Sequence, residues 1–292
     1  MLKRTLQAEK FFFDLMLPIR LYYTRSSEKA HWHNHEFTEI AIVLAGSGIY
    51  ETEFSVEEIH AGDVLVMPAG GAHQFHDEVG IEQINILFQF EKLSVPSRDI
   101  SRHPGFSALF RLNPEYCHRM RFYPHFKLCD NDLKRVRFWL TDAFEAQEAQ
   151  TTGFALSVYG AFLQTIPILL DNYAPNAAEN GLPHRPERLS ACLDFMERNF
   201  RKEQTIDALA QRAGMTPASF MRHFKAATGC TPLEYLIRLR LDEARLLLLD
   251  ESLSVAEAAQ RAGFTDSNYF ARIFRRKNGL SPREFRNKHA IV

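Results

Sequence analysis

A segment that occurs twice near the C-terminus constrains the fold more than any other feature of this chain. Residues 205–235 and 254–285 both contain a capping residue, a short apolar helix ending in Ala-Gly, and a second helix built on two phenylalanines. Gly214 and Gly263, at the same place in the two copies, lie 49 residues apart. Two copies are too few for a solenoid, which needs about three repeats or more. The sequence therefore predicts a pair of modules with the same fold.

Each copy predicts a helix, a tight turn and a second helix. Thr205 and Ser254 are suited to cap the first helix, whose apolar residues recur at helical spacing. The glycine that follows stands where the end of a helix requires positive φ. The second helix buries two phenylalanines in each copy, Phe220 with Phe224 and Phe270 with Phe274. This plan is that of a helix-turn-helix, whose second helix enters the major groove of DNA.

The residues between the copies predict a rigid spacer. Residues 231–249 are good helix formers, with Pro232 in the first turn. At about 1.5 Å per residue, this helix would be roughly 25 Å long. Two recognition helices held near one turn of B-DNA apart, about 34 Å, can enter successive major grooves on one face of the duplex.

Charge is divided unevenly along the chain. Residues 1–183 hold 16 Lys/Arg and 23 Asp/Glu, whereas residues 184–292 hold 19 and 13, so the formal charges are −7 and +6. A basic C-terminal part indicates a polyanionic partner, although ordinary variation between domains explains the charge alone equally well. Residues 174–186 are rich in Pro, Asn, Ala and Gly, which is typical of a linker. We therefore expect domains at 1–173 and 187–292.

At this point the sequence resembles the DNA-binding domain of the AraC/XylS family of bacterial transcription regulators. The family pattern is met at Ala259, Gly263, Phe264, Tyr269, Phe270, Phe274, Arg275, Gly279, Ser281, Pro282, Phe285 and Arg286. The resemblance covers residues 185–290 and implies a cytoplasmic bacterial protein, an activator that works with RNA polymerase. It also implies which residues face DNA: Pro217, Ala218, Met221 and Arg222 in the first copy, and Asp266, Ser267, Asn268 and Arg272 in the second.

The chemistry of these positions agrees in part with DNA contact. Arg222 and Arg272 can pair with guanine and Asn268 with adenine, each contributing about 1–3 kcal/mol of discrimination. Asp266 would be repelled by phosphates, and the alternative is that it caps its own helix.

The N-terminal part resembles the two cupin motifs. Its β-branched and aromatic runs predict strands at Glu39–Leu44, Gly48–Phe54, Asp63–Met67 and Ile81–Phe90, with turns at residues 46–48 and 68–71. The motif H-x-H-x3-E-x6-G is met by His33, His35, Glu39 and Gly46, and G-x5-P-x-G-x2-H-x3-N by Gly62, Pro68, Gly70 and His73, with Asp77 in place of Asn. The chain is therefore expected to be an α+β protein, with a cupin-like β-barrel and packed helices followed by an all-α double helix-turn-helix.

In the cupin family, the residues at His33, His35, Glu39 and His73 converge inside the barrel and can bind a divalent metal. Three imidazoles and one carboxylate suit Mn, Fe, Ni, Cu or Zn. The alternatives are hydrogen bonds from these histidines to a ligand, or satisfied polar groups without a metal.

A finer resemblance points to a sugar effector. Residues 33–43 and Ile84-Asn85-Ile-Leu-Phe are similar to the sensor domains of the L-rhamnose-responsive activators of the family. This implies a carbohydrate in a polar pocket with aromatic walls, formed by Trp32, His33, His35, Glu39, His73 and Phe75. Two alternatives remain, a metal-dependent cupin enzyme and a metal-dependent sensor of another molecule. The attached DNA-binding modules argue against the enzyme.

The middle of the chain carries less information. Residues 130–147 and 154–170 have helical spacing, and in the family such helices pack on the cupin and form a homodimer; the alternative is that they only cover the barrel. Residues 101–127 receive no assignment. No uninterrupted apolar run reaches the roughly 18 residues of a membrane span. The four cysteines form no C-x-x-C pair and the start lacks a cleavage site, so we expect a cytoplasmic protein without a membrane anchor.

Overall fold

The computed structural model describes residues 4–12, 17–25, 32–93, 100–179 and 185–289. They fall into two compact units, Met1–Ala191 and Cys192–Val292. The expected linker is shorter than predicted, because residues 174–179 continue a helix and another helix starts at Arg185. The alanines at 174, 177 and 178 have high helix propensity, which the composition of the segment concealed.

The first unit is built on one eight-stranded sheet. The strands are β1 (Arg4–Leu6), β2 (Ile19–Arg25), β3 (His33–His35), β4 (Thr38–Thr52), β5 (Val56–His60), β6 (Asp63–Met67), β7 (His73–Phe88) and β8 (His125–Lys127), and a short helix α1 (Ala8–Phe11) follows β1. The sheet order is β1-β3-β7-β4-β6-β8, with β2 paired to β7 and β5 to β4. This sheet-rich unit and the helical second unit confirm the expected α+β class.

The long strands β4 and β7 pair antiparallel and bend together. The expected turn at residues 46–48 is wrong, because β4 runs through it as one strand and shifts register between Val43 and Ile49. Gly46 has φ +77°, and a Cβ there would lie 2.3 Å from the carbonyl oxygen of Gly80. The glycine therefore allows a bulge at the bend, where the sequence pattern indicated a reversal.

The bend brings both halves of β4 and β7 around one apolar core. The core cluster comprises Ala41, Val43, Tyr50, Ile59, Leu65, Met67, Phe75 and Ile81. These residues come from four strands, so the sheet folds over on itself, as expected for a small barrel-like domain.

Two helices pack on this sheet and confirm the predicted helical segments. They are α4 (Asp130–Glu148) and α5 (Phe154–Glu179), which pack on each other, while both contact β2 and α5 also contacts β8. The Gln147 side-chain amide donates to the carbonyl oxygen of Leu21 (2.8 Å) and accepts from the N–H of Leu21 (3.0 Å). It thus satisfies both backbone groups of this β2 residue, as a neighbouring strand would. Residues 154–173 of α5 are long and apolar enough to cross a membrane by length and composition. Packing against α4, β2 and β8 accounts for that apolar character.

The unassigned segment 101–127 contributes two short helices and a strand beside β6 to the first unit. It contains α2 (Phe106–Phe110), α3 (Pro114–Arg119) and then β8, which pairs antiparallel with β6. A short 3-10 helix, Phe90–Lys92, precedes it. The loop between α3 and β8 thus lies beside β6, in a place that the local sequence could not indicate.

The second unit is entirely helical over its described residues. Its helices are α6 (Arg185–Asn199), whose first residues belong to the first unit, α7 (Ile206–Arg212), α8 (Pro217–Thr228), α9 (Pro232–Leu248), α10 (Val255–Arg261), α11 (Ser267–Asn278) and α12 (Pro282–His289). The pairs α7–α8 and α10–α11 are the predicted helix-turn-helix units, joined by α9. The predicted caps are confirmed, because the hydroxyls of Thr205 and Ser254 accept from the N–H groups of Ala208 and Glu257. The two copies also repeat their cores, since both phenylalanine pairs have ring centroids 5.4 Å apart.

Candidate DNA-binding surface and ligand site

The helix α8 has one buried and one exposed face. Phe220, Phe224 and Ala227 are buried, which fixes the rotation of the helix. Of the predicted contact residues, Pro217, Ala218 and Arg222 are therefore exposed, and Met221 is half-buried at the edge of the core. This face offers one long cation and several small apolar groups.

The helix α11 exposes a more polar face. All four predicted contact residues, Asp266, Ser267, Asn268 and Arg272, are exposed. The Asp266 carboxylate accepts from the backbone N–H groups of Asn268 (2.8 Å) and Tyr269 (3.0 Å), so the alternative that it caps its helix is confirmed. Because its Oδ1 is engaged by the helix N-terminus, its negative charge is partly compensated there.

The last turn of α11 continues the cationic surface. Arg275, Arg276 and Lys277 are exposed beside one another, in the half of the chain that carries the formal charge of +6. Exposed cations that flank a recognition helix are placed to contact phosphates, which position a protein on DNA without reading sequence.

A cluster of three histidines and one glutamate lies at the end of the sheet in the first unit. Strand pairing sets His33 opposite His73, and the strand alternation turns His33 and His35 to the same side. The His33 and His73 ring centroids are 4.5 Å apart, and those of His35 and His73 are 5.4 Å apart. His35 and His73 are 1% exposed, and Glu39 is 4% exposed. The structure thus brings together all four predicted metal ligands.

The electrostatics of this cluster follow from its burial. Desolvation lowers the pKa of His35 to about 4, lowers the pKa of His73 well below its usual value, and raises the pKa of Glu39 to about 7. The imidazoles of His35 and His73 are therefore neutral at pH 7, which is the form that binds metals. Glu39 accepts a hydrogen bond from Asn85 Nδ2 through Oε1 (2.7 Å), while its Oε2 lies 3.3 Å from Nε2 of His35. Sequence reasoning did not identify Asn85 as the residue that orients Glu39.

The donor atoms fit a divalent metal. His33, Glu39 and His73 each offer one ligand atom, and these atoms lie within 4.8 Å of one another. Among the described residues, Nδ1 of His73 has no hydrogen-bond partner although it is buried. Nε2 of His35 is likewise buried without a hydrogen-bond partner, while its Nδ1 lies 2.6 Å from the carbonyl oxygen of Phe37 and the two rings stack. A backbone carbonyl on the second ring nitrogen is the usual way to orient a metal-ligating histidine. The mutually close donor atoms are therefore those of His33, Glu39 and His73, and Nε2 of His35, 3.3 Å from Oε2 of Glu39, is a further candidate ligand.

The aromatic residues predicted for the pocket occupy different environments. Phe75 is buried in the core, with its ring centroid 5.8 Å from that of His73 and 5.1 Å from that of Tyr50. Trp32 is half-buried immediately before β3.

A cavity of about 500 Å³ lies beside the cluster, and none of the six predicted pocket residues lines it. We call it the hairpin cavity, because the β4–β5 hairpin and the loop before β8 form its walls. Its lining residues include Tyr50, Thr52, Phe54, Glu57, Arg121, Tyr123, His125 and Glu187. Tyr50 connects it to the cluster, since its ring centroid is 5.8 Å from that of His73. Only the alternation along β4 could have indicated Tyr50, because the loop had no assignment.

Comparison with known proteins matches one family within each of the two units. Residues 16–127 match the family described as AraC-like ligand binding domain, and residues 209–288 match a helix-turn-helix domain family. The HTH-type transcriptional activator RhaS of Escherichia fergusonii is 30% identical over 255 residues, covering 87% of this chain and 86% of that protein. The chain belongs to the AraC family of transcription regulators.

Further similar proteins include a second RhaS protein and a solved DNA-binding domain. The RhaS protein of Enterobacter sp. is also 30% identical, with the same coverage of both chains. The solved DNA-binding domain of AdpA in complex with a target DNA is 32% identical; the match covers 35% of this chain and 92% of that one, with a TM-score of 0.34.

As a member of the AraC family, the chain is a DNA-binding transcription regulator with an N-terminal ligand-binding domain. The predicted family and fold class are confirmed. The alternative of a cupin enzyme is set aside, because the relatives that match along the chain are transcriptional activators.

Proposed function

We propose that this protein activates transcription in the bacterial cytoplasm when a small carbohydrate binds its N-terminal domain. The observation that carries the DNA-binding part is the pair of exposed recognition helices, α8 and α11, in a unit of charge +6. The activator role and the sugar class are supported by the RhaS activators, which match along most of the chain, and by the resemblance of residues 33–43 to L-rhamnose-responsive sensors.

In this proposal each helix reads one half-site. Arg222 of α8 pairs with guanine, among small groups suited to thymine methyls. Asn268 and Arg272 of α11 read adenine and guanine, while Pro217, Ala218, Met221, Asp266 and Ser267 complete the two contact faces. The second half-site should be more strictly specified, because α11 offers more hydrogen-bonding groups.

A homodimer formed through the N-terminal domain belongs to the same proposal. Two large apolar side chains on the helices that pack on the sheet support it, since Phe138 of α4 is 71% exposed and Leu156 of α5 is 77% exposed. Exposed apolar groups of this size are typical of contact surfaces. Activation further requires a contact with RNA polymerase.

Ligand binding acts by shifting an equilibrium. A sugar that binds one arrangement of the protein better than another changes DNA affinity or polymerase contact by its differential binding, typically about 1–3 kcal/mol.

The test is selection of bound DNA from random sequence, followed by in vitro transcription with and without sugars. We expect the selected DNA to contain two half-sites. We also expect the logarithm of the binding constant to fall linearly with the logarithm of the salt concentration, with a slope of about −0.9 for each phosphate contact. Arg222→Ala and Arg272→Ala should each relax a different half-site, whereas Arg261→Ala, an exposed cation on α10, serves as the control. Binding without sequence preference would contradict the proposal.

We also propose that the histidine cluster binds a divalent metal that stabilises the sensor domain, with His33, Glu39 and His73 as ligands. The buried unpartnered Nδ1 of His73 supports this. Metal analysis should find about one metal per chain, lost in His73→Ala but retained in a variant of the exposed His60. A chelator should lower the unfolding temperature of the wild type only. A metal-free protein that takes up no Zn, Ni, Mn or Fe would contradict it.

A further inference from the structure

We propose that the hairpin cavity, rather than the histidine cluster, holds the effector of this sensor, and that the effector is a neutral carbohydrate. This inference rests on the proposed function for the existence of a sugar effector, and it assigns the site and the charge of the ligand.

The histidine cluster is too closely packed for a sugar. His35, Glu39 and His73 are 1–4% exposed, and Oε2 of Glu39 lies 3.3 Å from His35 and 4.0 Å from His73. A single ion fits among such atoms, but a sugar ring does not. The hairpin cavity has about 500 Å³, which is within the range of ligand pockets, roughly 300–1,000 Å³.

Aromatic rings form one side of the hairpin cavity. Phe54 and Tyr123 contact each other at 5.8 Å between centroids, and the ring of Tyr50 lies deeper, against Phe75. Ring faces of this kind pack against the C–H face of a sugar, and a few fixed polar groups orient its hydroxyls.

Ion pairs hold charged groups of the cavity wall in place. His125 lies between two carboxylates. Its Nδ1 is hydrogen-bonded to Oε2 of Glu57, and its Nε2 lies 3.3 Å from Oδ1 of Asp63. Burial lowers the pKa of His125, but the hydrogen bonds and charges of Asp63 and Glu57 outweigh burial and raise it to about 9. The hydrogen bond from His125 in turn lowers the pKa of Glu57. At neutral pH the cavity thus presents an oriented carboxylate, which accepts bonds from hydroxyls and repels an anionic ligand.

Arg121 completes the site at its solvent side. Its φ of +53° places a residue other than glycine in the left-handed region, which is costly and concentrates at functional sites. Its guanidinium lies 5.0 Å from the centroid of the Phe54 ring. Together Arg121 and His125 balance Glu57 and Glu187, the other charged residues that line the cavity, so a neutral ligand with several hydroxyls suits it better than a sugar acid or a phosphate.

The test is calorimetric titration of the full-length protein with pentoses, hexoses, deoxyhexoses and the matching uronic acids. We expect one or more neutral sugars to bind. Glu57→Gln and Arg121→Gly should each weaken that binding about 10-fold or more, because each removes a hydrogen bond from a charged group. Matched controls are Glu58→Gln, on the same strand but outside the cavity lining, and Arg119→Ala, an exposed cation near Arg121; both should bind within about twofold of wild type.

Because Glu57→Gln removes a partner of His125, circular dichroism checks folding in each titration, and Phe54→Ala provides a second probe of the same wall. Sugar binding that is unchanged in the cavity variants but lost in His73→Ala would overturn the site and leave the proposed function standing. Binding of acids alone would overturn the neutral class. No binding of any sugar would overturn both the inference and the sugar part of the proposed function.

Discussion

Substitution of Gly263 by alanine tests the packing that links the second recognition module to the rest of its unit. Gly263 ends α10 with φ +96°, and an added Cβ would lie 2.8 Å from Cα and 3.0 Å from the carbonyl oxygen of Arg201. Both atoms are backbone, in the turn that follows α6, so they cannot move aside as a side chain can. Gly279 is the matched control, because it has φ +76° and open space around the added Cβ.

The magnitude follows from two separable costs. A left-handed backbone costs an alanine about 1–2 kcal/mol, offset by up to about 1 kcal/mol because alanine restricts the unfolded chain. Gly279→Ala should therefore destabilise by no more than about 2 kcal/mol. Gly263→Ala bears the same cost and also overpacks against the backbone, typically about 1–3 kcal/mol. The expected difference between the variants is about 1–3 kcal/mol.

Scanning calorimetry combined with fluorescence can measure this difference. Both tryptophans, Trp32 and Trp139, lie in the first unit, so their fluorescence reports its unfolding, while far-ultraviolet circular dichroism also follows the second unit. At about 4–8 °C per kcal/mol for a unit of this size, Gly263→Ala should lower the second-unit transition by about 5–20 °C more than Gly279→Ala. The tryptophan transition should not move. Equal shifts for the two variants would refute the argument from close approach.

Three further predictions concern single groups. Asp266→Ala should lower the free energy of unfolding of the second unit, measured with urea, by about 0.5–2 kcal/mol. Asp266→Asn should lower it much less, because asparagine can also cap the helix. Equal losses in the two variants would contradict the capping role. Arg272→Ala should lose about 1–3 kcal/mol of DNA-binding free energy and reduce the sequence preference at one base position. Arg276→Ala should lower the affinity for all DNA sequences equally, as measured by fluorescence anisotropy. The reverse pattern would reject base reading by Arg272. The pKa of His125 is raised to about 9, so between pH 6.5 and 9 the folded state binds more protons than the unfolded state. The free energy of unfolding of the first unit should therefore fall by up to about 3 kcal/mol as the pH rises through this range, and it should fall less in His125→Gln. If the free energies of the two proteins change in parallel with pH, this ion cluster is not the cause.

The second unit could be predicted almost completely because its determinants are local. Thr205 and Ser254 cap helices three residues away, and Phe270 and Phe274 lie one turn apart on the same helix. Each of these relations spans a few residues, so spacing in the sequence is enough to recover the geometry. The same spacing shows which face of α11 is free, and the exposure of Arg272 follows from the burial of its neighbours.

The first unit was predicted less well because its geometry depends on distant pairs. The sequence predicts a turn at Gly46, yet the role of this residue is set by Gly80, which approaches it across the sheet. The four residues of the histidine cluster could be identified through motif spacing. Asn85 could not be given its role, because its contact with Glu39 joins strands 46 residues apart in sequence.

The hairpin cavity shows the same limit at a functional site. Glu57 and His125 are 68 residues apart, and their contact exists only because β8 pairs with β6 beside β5. The histidines can be recognised from the sequence because they match a motif with fixed spacing, whereas the residues that line the cavity belong to no such motif. Because a buried cluster resists ligand entry and a half-open cavity admits it, the two sites suit different tasks. The closely packed cluster suits an ion that strengthens the domain, and the cavity suits a ligand that must exchange with solvent to carry a signal.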